Sequence, residues 1–154
     1  MSEKRKDEHV HFAKKAQRGF NDFDRIHLLH QGLVDFNLSD VDLSTHIFGQ
    51  KFALPIYINA MTGGSEKTKT INERLALIAK YLNIPLFLGS QSIALKQRDL
   101  APSFVVARQN YPQGFLVANV SANATVEEAQ EAIKVISANA LAIHINLIQE
   151  LVME

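Results

Sequence analysis

The sequence of 154 residues contains no cysteine. This absence excludes disulfide bonds, thiolate metal sites and a cysteine nucleophile. The sequence also has no excess of charge of one sign, because 16 lysines and arginines balance 16 aspartates and glutamates. No bulk electrostatic field therefore favours nucleic acid or an anionic membrane, and any anion site must be local.

Long hydrophobic runs are missing as well. No apolar stretch approaches the ~18 residues that a membrane span requires, and the first residues, MSEKRKDEHVHF, are too charged for a secretory signal. We therefore expect a soluble, cytoplasmic protein with neither nucleic acid nor a membrane as a partner. With 47% hydrophobic and 21% charged residues, the composition is globular and the length is that of one domain.

The N-terminal segment is rich in charge, with Arg5, Lys6 and His9 within the run RKDEH. Charge runs at chain termini are usually solvated tails. The alternative is an arm that brings cations to a phosphate, since arginine donates in a planar pair and lysine is a point charge. From residue 12 to residue 54, short apolar groups alternate with loop residues, so residues 1–54 are predicted to be an arm and an irregular extension.

Residues 55–154 are periodic, and their pattern predicts strands and helices in alternation. The predicted strands are residues 56–61, 85–91, 115–121 and 140–147. Capping-box patterns at Thr70 with Glu73, and at Thr125 with Glu128, predict the starts of two helices. The second of these helices is predicted to end at Asn139.

Polar side chains close each predicted strand at a nearly constant interval. Asn59, Ser90, Asn119 and Asn146 are separated by 31, 29 and 27 positions. Such spacing is typical of successive βα units, which require parallel strands and right-handed crossovers. In the last strand, alternation places Ala142, His144 and Asn146 on one face. Because the carboxyl ends of parallel strands meet at one edge, the sequence predicts a shared ligand site there.

Four βα units amount to half of a (β/α)8 barrel, which typically needs roughly 250 residues. Composition and spacing alone do not separate a half-barrel from a doubly wound sheet, and they name no ligand. The turn Thr62-Gly63-Gly64 can admit a flat ring or a phosphate close to the backbone, because glycine has no Cβ. A tight turn between strand and helix is the more frequent explanation of two adjacent glycines.

Several motifs resemble one family when they are taken in order. They are RKDEH (5–9), VDLST (41–45), INAMTGG (58–64), GSQ (89–91), AN (118–119) and HINLIQELVM (144–153). The resemblance is to the type 2 isopentenyl-diphosphate isomerases, which are FMN-dependent (β/α)8 TIM-barrel enzymes. It implies interconversion of isopentenyl and dimethylallyl diphosphate with reduced FMN, NADPH and Mg²⁺. It also implies that residues 55–154 are the first half of the barrel.

The resemblance assigns a role to each matching position. It implies that the substrate diphosphate is held by Arg5, Lys6 and His9, and that the flavin is contacted by Met61, Thr62, Gly63, Ser90 and Asn119. It implies that His144, Asn146 and Gln149 face the substrate as catalytic residues, Gln149 also binding it, and that Glu150 helps to bind Mg²⁺.

One departure from the family pattern concerns length. Family members continue after Met153 with a second half-barrel, whereas this sequence ends at Glu154. The expectation is a truncated isomerase that is inactive alone. The alternative is a non-catalytic half-barrel that binds phosphate ligands weakly or associates with itself. A half-barrel exposes the edges of its first and fourth strands, so a homo-oligomer is expected.

Overall fold

The computed structural model describes residues 3–15, 19 and 22–145. Its helices are α1 (Glu3–Lys15), α2 (Glu66–Leu82), α3 (Ser92–Lys96), α4 (Pro102–Asn110) and α5 (Val126–Ile136). Its strands are β1 (Thr45–Ile47), β2 (Gln50–Phe52), β3 (Leu86–Phe87), β4 (Leu116–Ser121) and β5 (Ala140–His144). This confirms the α/β class. No helix in the described ranges is long and apolar enough to cross a membrane.

The strands β3, β4 and β5 form a parallel sheet in that order. Their register pairs Val117 with Ala140 and Ser121 with His144. Hydrogen bonding to β4 continues past the end of β3, because the amide of Gln91 donates to the carbonyl of Asn119 at 2.9 Å. The predicted parallel order of the last three strands is therefore confirmed, with strands that are adjacent in the chain also adjacent in the sheet.

The predicted first strand, residues 56–61, is shorter than expected. Only Ile58 makes a bridge to β3, where it pairs in parallel with Leu86. The amide of Ala60 bonds to the side-chain oxygen of its neighbour Asn59 at 2.8 Å instead of continuing the ladder. A short polar side chain that captures a backbone donor competes with strand pairing, which explains why regular pairing stops here.

Helix α2 begins earlier than the capping-box pattern at Thr70 and Glu73 predicts, so that prediction is wrong. The N-cap is Ser65, whose hydroxyl oxygen accepts the Thr68 amide at 3.1 Å, while the Thr68 hydroxyl oxygen accepts the Ser65 amide at 2.9 Å. A threonine hydroxyl here replaces the usual glutamate of the motif. The helix consequently begins just after the glycine turn.

Helix α5 confirms one predicted boundary and corrects the other. Thr125 and Glu128 form the predicted capping box, with bonds of 2.9 and 3.2 Å. The helix ends at Ile136 rather than at Asn139, because Ser137 adopts a left-handed conformation with φ of 49°. The side-chain oxygen of Asn139 instead accepts the Leu116 amide at 3.0 Å and so ties the end of the helix to β4.

Two apolar clusters cover the two faces of the sheet. Between the sheet and the helices, Leu116, Ala118 and Val120 of β4 are fully buried. On the opposite face, Val117 packs with Phe115 and with Phe52 of the β1–β2 hairpin. The alternation within β4 thus gives each face its own core. The alternation predicted for the last strand is also confirmed, since Leu141 packs on the helix side and Ala142 on the hairpin side.

The segment 22–43 contributes no buried side chain to the hydrophobic core. It contains short 3-10 turns at Asp22–Arg25 and Leu38–Asp40 and is otherwise irregular. Its large apolar side chains are strongly exposed, and Leu28, Leu29 and Leu33 are each more than 90% exposed. Between residues 22 and 43 the structure therefore has no helix or strand other than these two 3-10 turns.

Candidate functional site

The carboxyl ends of β4 and β5 bring two predicted site residues together. The Nδ1 atom of His144 lies 2.7 Å from the side-chain oxygen of Asn119. With the amide oxygen as acceptor, Nδ1 carries the proton and Nε2 keeps a lone pair. The pair therefore presents a hydrogen-bond acceptor on an imidazole ring whose orientation is fixed.

Gln91 holds Asn119 in place. The side chain of Gln91 is fully buried, and its nitrogen donates to the carbonyl of Ala132 in α5 at 2.9 Å. Its oxygen accepts the backbone amide of Asn119 at 3.3 Å. Gln91 closes the GSQ motif and the predicted strand 85–91, and no role was predicted for it from the sequence. A buried amide that bonds at both ends makes it a positioning residue for Asn119.

Thr62 is tied into the protein rather than open to a ligand through its hydroxyl. The residue is buried, and its hydroxyl donates to the side-chain oxygen of Asn72. Its carbonyl accepts the Gly89 amide at 2.9 Å. Asn72 is itself fully buried and donates to the carbonyl of Ser103 at 2.8 Å. This role of Asn72 was not predicted from the sequence. A single amide side chain among apolar residues of a helix indicates a buried hydrogen-bonding residue, and Asn72 is one of the buried residues of α2.

The two glycines after Thr62 are required by packing. Both have positive φ, 140° at Gly63 and 93° at Gly64. A Cβ on Gly63 would overlap the ring of Phe104, and one on Gly64 would lie 2.6 Å from a methyl carbon of Ile93. Of the two explanations that the sequence left open, the structure favours the tight turn.

Lys6 reaches the same edge of the sheet from the N-terminal helix. It is 5% exposed, and its amine donates to the carbonyl of Ser90 at 3.3 Å. Helix α1 packs against α2, and its residue Val10 is also buried. The solvated-tail interpretation is therefore wrong for this helix, and a cation lies beside Ser90.

The remaining predicted site residues divide into two groups. Met61 is 53% exposed and lines a groove of about 560 Å³ between α1 and α2. The side chains of Arg5 and His9, and the whole of Asn146, Gln149 and Glu150, lie outside the described residues. Within the described ranges, no three histidine, aspartate or glutamate side chains lie close enough to hold a metal ion.

The α/β fold with polar side chains at the carboxyl edge of its parallel sheet is typical of ligand-binding α/β proteins. Comparison with known proteins identifies the family. Residues 8–145 match the FMN-dependent dehydrogenase family, and the chain belongs to that family. Proteins named isopentenyl-diphosphate delta-isomerase are similar to it. The one from Latilactobacillus sakei is 44% identical over 97% of this chain, and the one from Listeria welshimeri is 46% identical over 100%. The one from Staphylococcus aureus MSSA476 is 42% identical over 98%.

These comparisons confirm the resemblance drawn from the motifs. The chain spans less than half the length of the curated relatives, 43% in the Latilactobacillus protein and 44% in the other two. The match is therefore to one part of each relative, and it extends across nearly all of this chain.

Proposed function

We propose that this chain is part of an isomerase that interconverts isopentenyl and dimethylallyl diphosphate. The observation that carries the proposal is the buried amine of Lys6 beside Ser90. It puts a cation at the edge where Asn119 and His144 meet, in a chain whose similar relatives are named as this isomerase. A cation is what a diphosphate requires, and neutral polar groups suit an uncharged hydrocarbon chain that gains or loses a proton.

The fold of residues 55–154 is proposed to be the first half of a (β/α)8 barrel, preceded by an extension of residues 1–54. Strand order supports this. Ile58, β3, β4 and β5 neighbour one another in chain order, whereas a doubly wound sheet reverses its order at one point. Helices α2 and α4, and then α4 and α5, also pack against each other in sequence, as they do around a barrel.

The described residues fit the ring of FMN. On the sheet face opposite the helices, Phe87, Val117 and Ala142 pack against Phe52 of the hairpin, and Asn119 and His144 continue this face with polar groups. Polar groups at the carboxyl ends of the strands suit the polar edge of a flat ring. The residues proposed to hold the flavin are Met61, Thr62, Gly63, Ser90 and Asn119. Bound FMN would supply a reduced ring beside the substrate.

The Thr62 hydroxyl already donates to Asn72, so contact with the flavin at residues 62–63 is assigned to the backbone. Ser90 differs, because its hydroxyl lies 3.1 Å from the hydroxyl of Ser92, and either of the two can donate. A ligand acceptor can take the second hydroxyl hydrogen. The polar edge of the ring is therefore assigned to Ser90 and Asn119.

The diphosphate is assigned to the N-terminal helix. Lys6 would act as a point charge, and Arg5 and His9 would add donors. Glu150 would bind Mg²⁺, which prefers carboxylate oxygen and retains part of its water shell. NADPH is proposed as the reductant because the FMN must be reduced.

Proton movement is assigned to the last strand and the residues that follow it. Asn119 holds the His144 ring so that Nε2 can accept a proton or a hydrogen bond. Asn146 and Gln149 are proposed to orient the substrate. Neutral amides do so without leaving an unpaired charge beside a cationic transition state.

The proposed activity can be tested directly in the intact protein. Isopentenyl diphosphate would be incubated anaerobically with FMN, NADPH and Mg²⁺, and dimethylallyl diphosphate followed by NMR. We expect conversion that is lost when FMN or Mg²⁺ is omitted. A protein that retains its yellow flavin through desalting but converts no substrate would contradict the proposal.

A second function, association of this chain with itself, is favoured by one observation. Large apolar side chains of the segment 22–43 are exposed, and so are Ile143 and Ile145 at 62% and 78%. Among the described residues β5 pairs only with β4, and exposed apolar residues on such an edge strand can template pairing with another chain. Light scattering at tens of micromolar should give a mass above 17.2 kDa for the chain. A monomer mass with a cooperative melt would argue against association.

A further inference from the structure

Helix α1 is attached to the rest of the chain through a contact that the proposed function does not use. The hydroxyl of Ser65 donates to a carboxylate oxygen of Asp7 at 2.6 Å. Asp7 follows Lys6 directly in the helix, and Ser65 is the N-cap of α2. The contact therefore joins the residue next to the buried amine to the start of a core helix.

The Ser65 hydroxyl has its hydrogen available for Asp7. The neighbouring Thr68 hydroxyl gives its own hydrogen to the Ser65 carbonyl at 2.9 Å, and the Thr68 amide donates to the Ser65 oxygen at 3.1 Å. A hydroxyl has one donor and two acceptor positions, so the Ser65 oxygen accepts from Thr68 and donates to Asp7. Ser65 is 1% exposed, which protects this bond from water.

The position of Asp7 is also electrostatically favourable. A carboxylate at the first turn of a helix meets the positive end of the helix dipole and the free backbone amides there. Helix α2 is long, with 17 residues, and packs closely against α4. Asp7 is thus bonded to a helix that also packs against α4 in the core.

Helix α1 depends on tertiary contacts for its stability. It has 13 residues, a length at which isolated helices are marginal in water, and Phe12 on its surface is 61% exposed. Val10 and Lys6 are its buried side chains among those described. Loss of the Asp7 contact would therefore act directly on whether Lys6 stays beside Ser90.

We infer that Asp7 is a positioning residue, which docks α1 on the N-terminus of α2 and thereby holds the Lys6 amine at the edge of the sheet. The consequence for substrate rests on the proposed function of Lys6. The docking itself does not, because it follows from contacts within this chain.

The test is the accessibility of the Lys6 amine in the full chain. A short pulse of an acetylating reagent, read by peptide mass spectrometry, gives the labelling rate of Lys6 relative to the exposed Lys134 of α5. In the parent chain we expect slow labelling of Lys6. In Asp7→Ala we expect it to rise about tenfold, the factor for loss of one charge-assisted hydrogen bond. Asp7→Asn keeps an acceptor oxygen and should fall between the two.

The matched control is Glu8→Ala on the same helix. Glu8 pairs only loosely with the exposed Lys4, at 4.0 Å, so removing its charge should leave Lys6 labelling unchanged. Hydrogen exchange of the α1 and α2 amides serves as a second measurement, with faster exchange in Asp7→Ala expected only in α1. Equal Lys6 labelling in parent and Asp7→Ala, or an equal rise in Glu8→Ala, would overturn the inference.

A kinetic arm separates this inference from the proposed function. In the intact protein, Asp7→Ala should raise KM for isopentenyl diphosphate about tenfold and leave FMN affinity unchanged. Faster Lys6 labelling with an unchanged KM would support positioning by Asp7 and would overturn the assignment of substrate to Lys6.

Discussion

Arg108 of α4 connects the ends of two helices, and its replacement is the sharpest stability test that the structure offers. Its guanidinium lies 2.7–3.3 Å from six acceptors, namely the carbonyls of Ile136, Ser137, Tyr111, Pro112 and Gly114 and the side-chain oxygen of Asn139. Its five N–H groups serve all six because the two hydrogens of Nη1 are shared among the carbonyls of Tyr111, Pro112 and Gly114. Burial lowers the pKa of Arg108 from its ordinary value. An arginine nevertheless stays charged in proteins, so these are charge-assisted bonds.

Arg108→Ala removes every one of these bonds. The carbonyls of Ile136, Tyr111 and Gly114 are partly buried, whereas the remaining acceptors are exposed and can turn to water. A bond from a charged donor contributes about 1.5 to 3 kcal/mol, and losses within one network are not additive. We therefore expect the free energy of unfolding to fall by about 2 to 4 kcal/mol.

Arg108→Lys tests how much of the stabilisation comes from the positive charge and how much from the planar shape of the guanidinium. Lysine keeps the positive charge but lacks the planar fork, so it cannot bond to the end of α5 and to the turn after α4 at the same time. We expect a smaller loss, about 1 to 2 kcal/mol. The measurement is urea unfolding followed by far-ultraviolet circular dichroism, with comparison at an unchanged m value.

Arg98→Ala is the control for Arg108. Arg98 forms an exposed ion pair with Glu131 at 2.7 Å, which should contribute only about 0 to 1 kcal/mol. The two alanine variants remove the same side chain from neighbouring parts of the chain. An equal loss of stability in both would show that the bonds made by Arg108 do not connect the two helices as argued.

Three further predictions concern the site. Nitrogen NMR of the His144 ring should show the proton on Nδ1 in the parent protein, and Asn119→Leu should remove this preference for Nδ1 over Nε2. A parent ring protonated only on Nε2 would contradict the orientation assigned to the Asn119 amide. In the intact protein, Arg5→Ala should weaken substrate binding by roughly 1.5 to 3 kcal/mol without affecting flavin binding, and equal affinity by calorimetry would remove Arg5 from the site. Glu150→Gln should raise the Mg²⁺ needed for half-maximal activity, whereas Gln149→Asn should lower turnover at saturating metal; identical metal dependence would refute this division.

Periodicity and local capping rules were sufficient for the order of the last three strands and for the start of α5. Thr125 and Glu128 are three residues apart and cap α5 as the motif predicts. Asn119 and His144 are 25 residues apart, and the phase of their strands alone placed them at one edge, where they lie 2.7 Å apart. Both inferences depend on backbone geometry that repeats identically in every protein, which is why the sequence could supply them.

Boundaries that depend on less common chemistry were not predictable. The start of α2 uses a threonine hydroxyl at the third position of the cap, and α5 ends at a serine with positive φ. Left-handed backbone at a serine is uncommon, because the side chain is strained there. It is tolerated at Ser137, where the residue's own carbonyl accepts from Arg108 at 2.7 Å. A local sequence pattern cannot predict the bond between Arg108 and Ser137, because the two residues are 29 positions apart.

The N-terminal helix shows why charge patterning alone misled. RKDEH is as polar as a solvated tail, yet its lysine is buried and its aspartate accepts a bond from a buried serine. The partners of these two side chains include residues more than 50 positions away, Ser65 for Asp7 and Ser90 for Lys6. Burial of a charge is costly unless it is paired, so the two contacts must form together with the docking of α1. The Lys6 amine therefore reaches the edge of the sheet only when α1 is folded and docked. Its position depends on tertiary contacts, so it could not be predicted from the composition of the N-terminal segment.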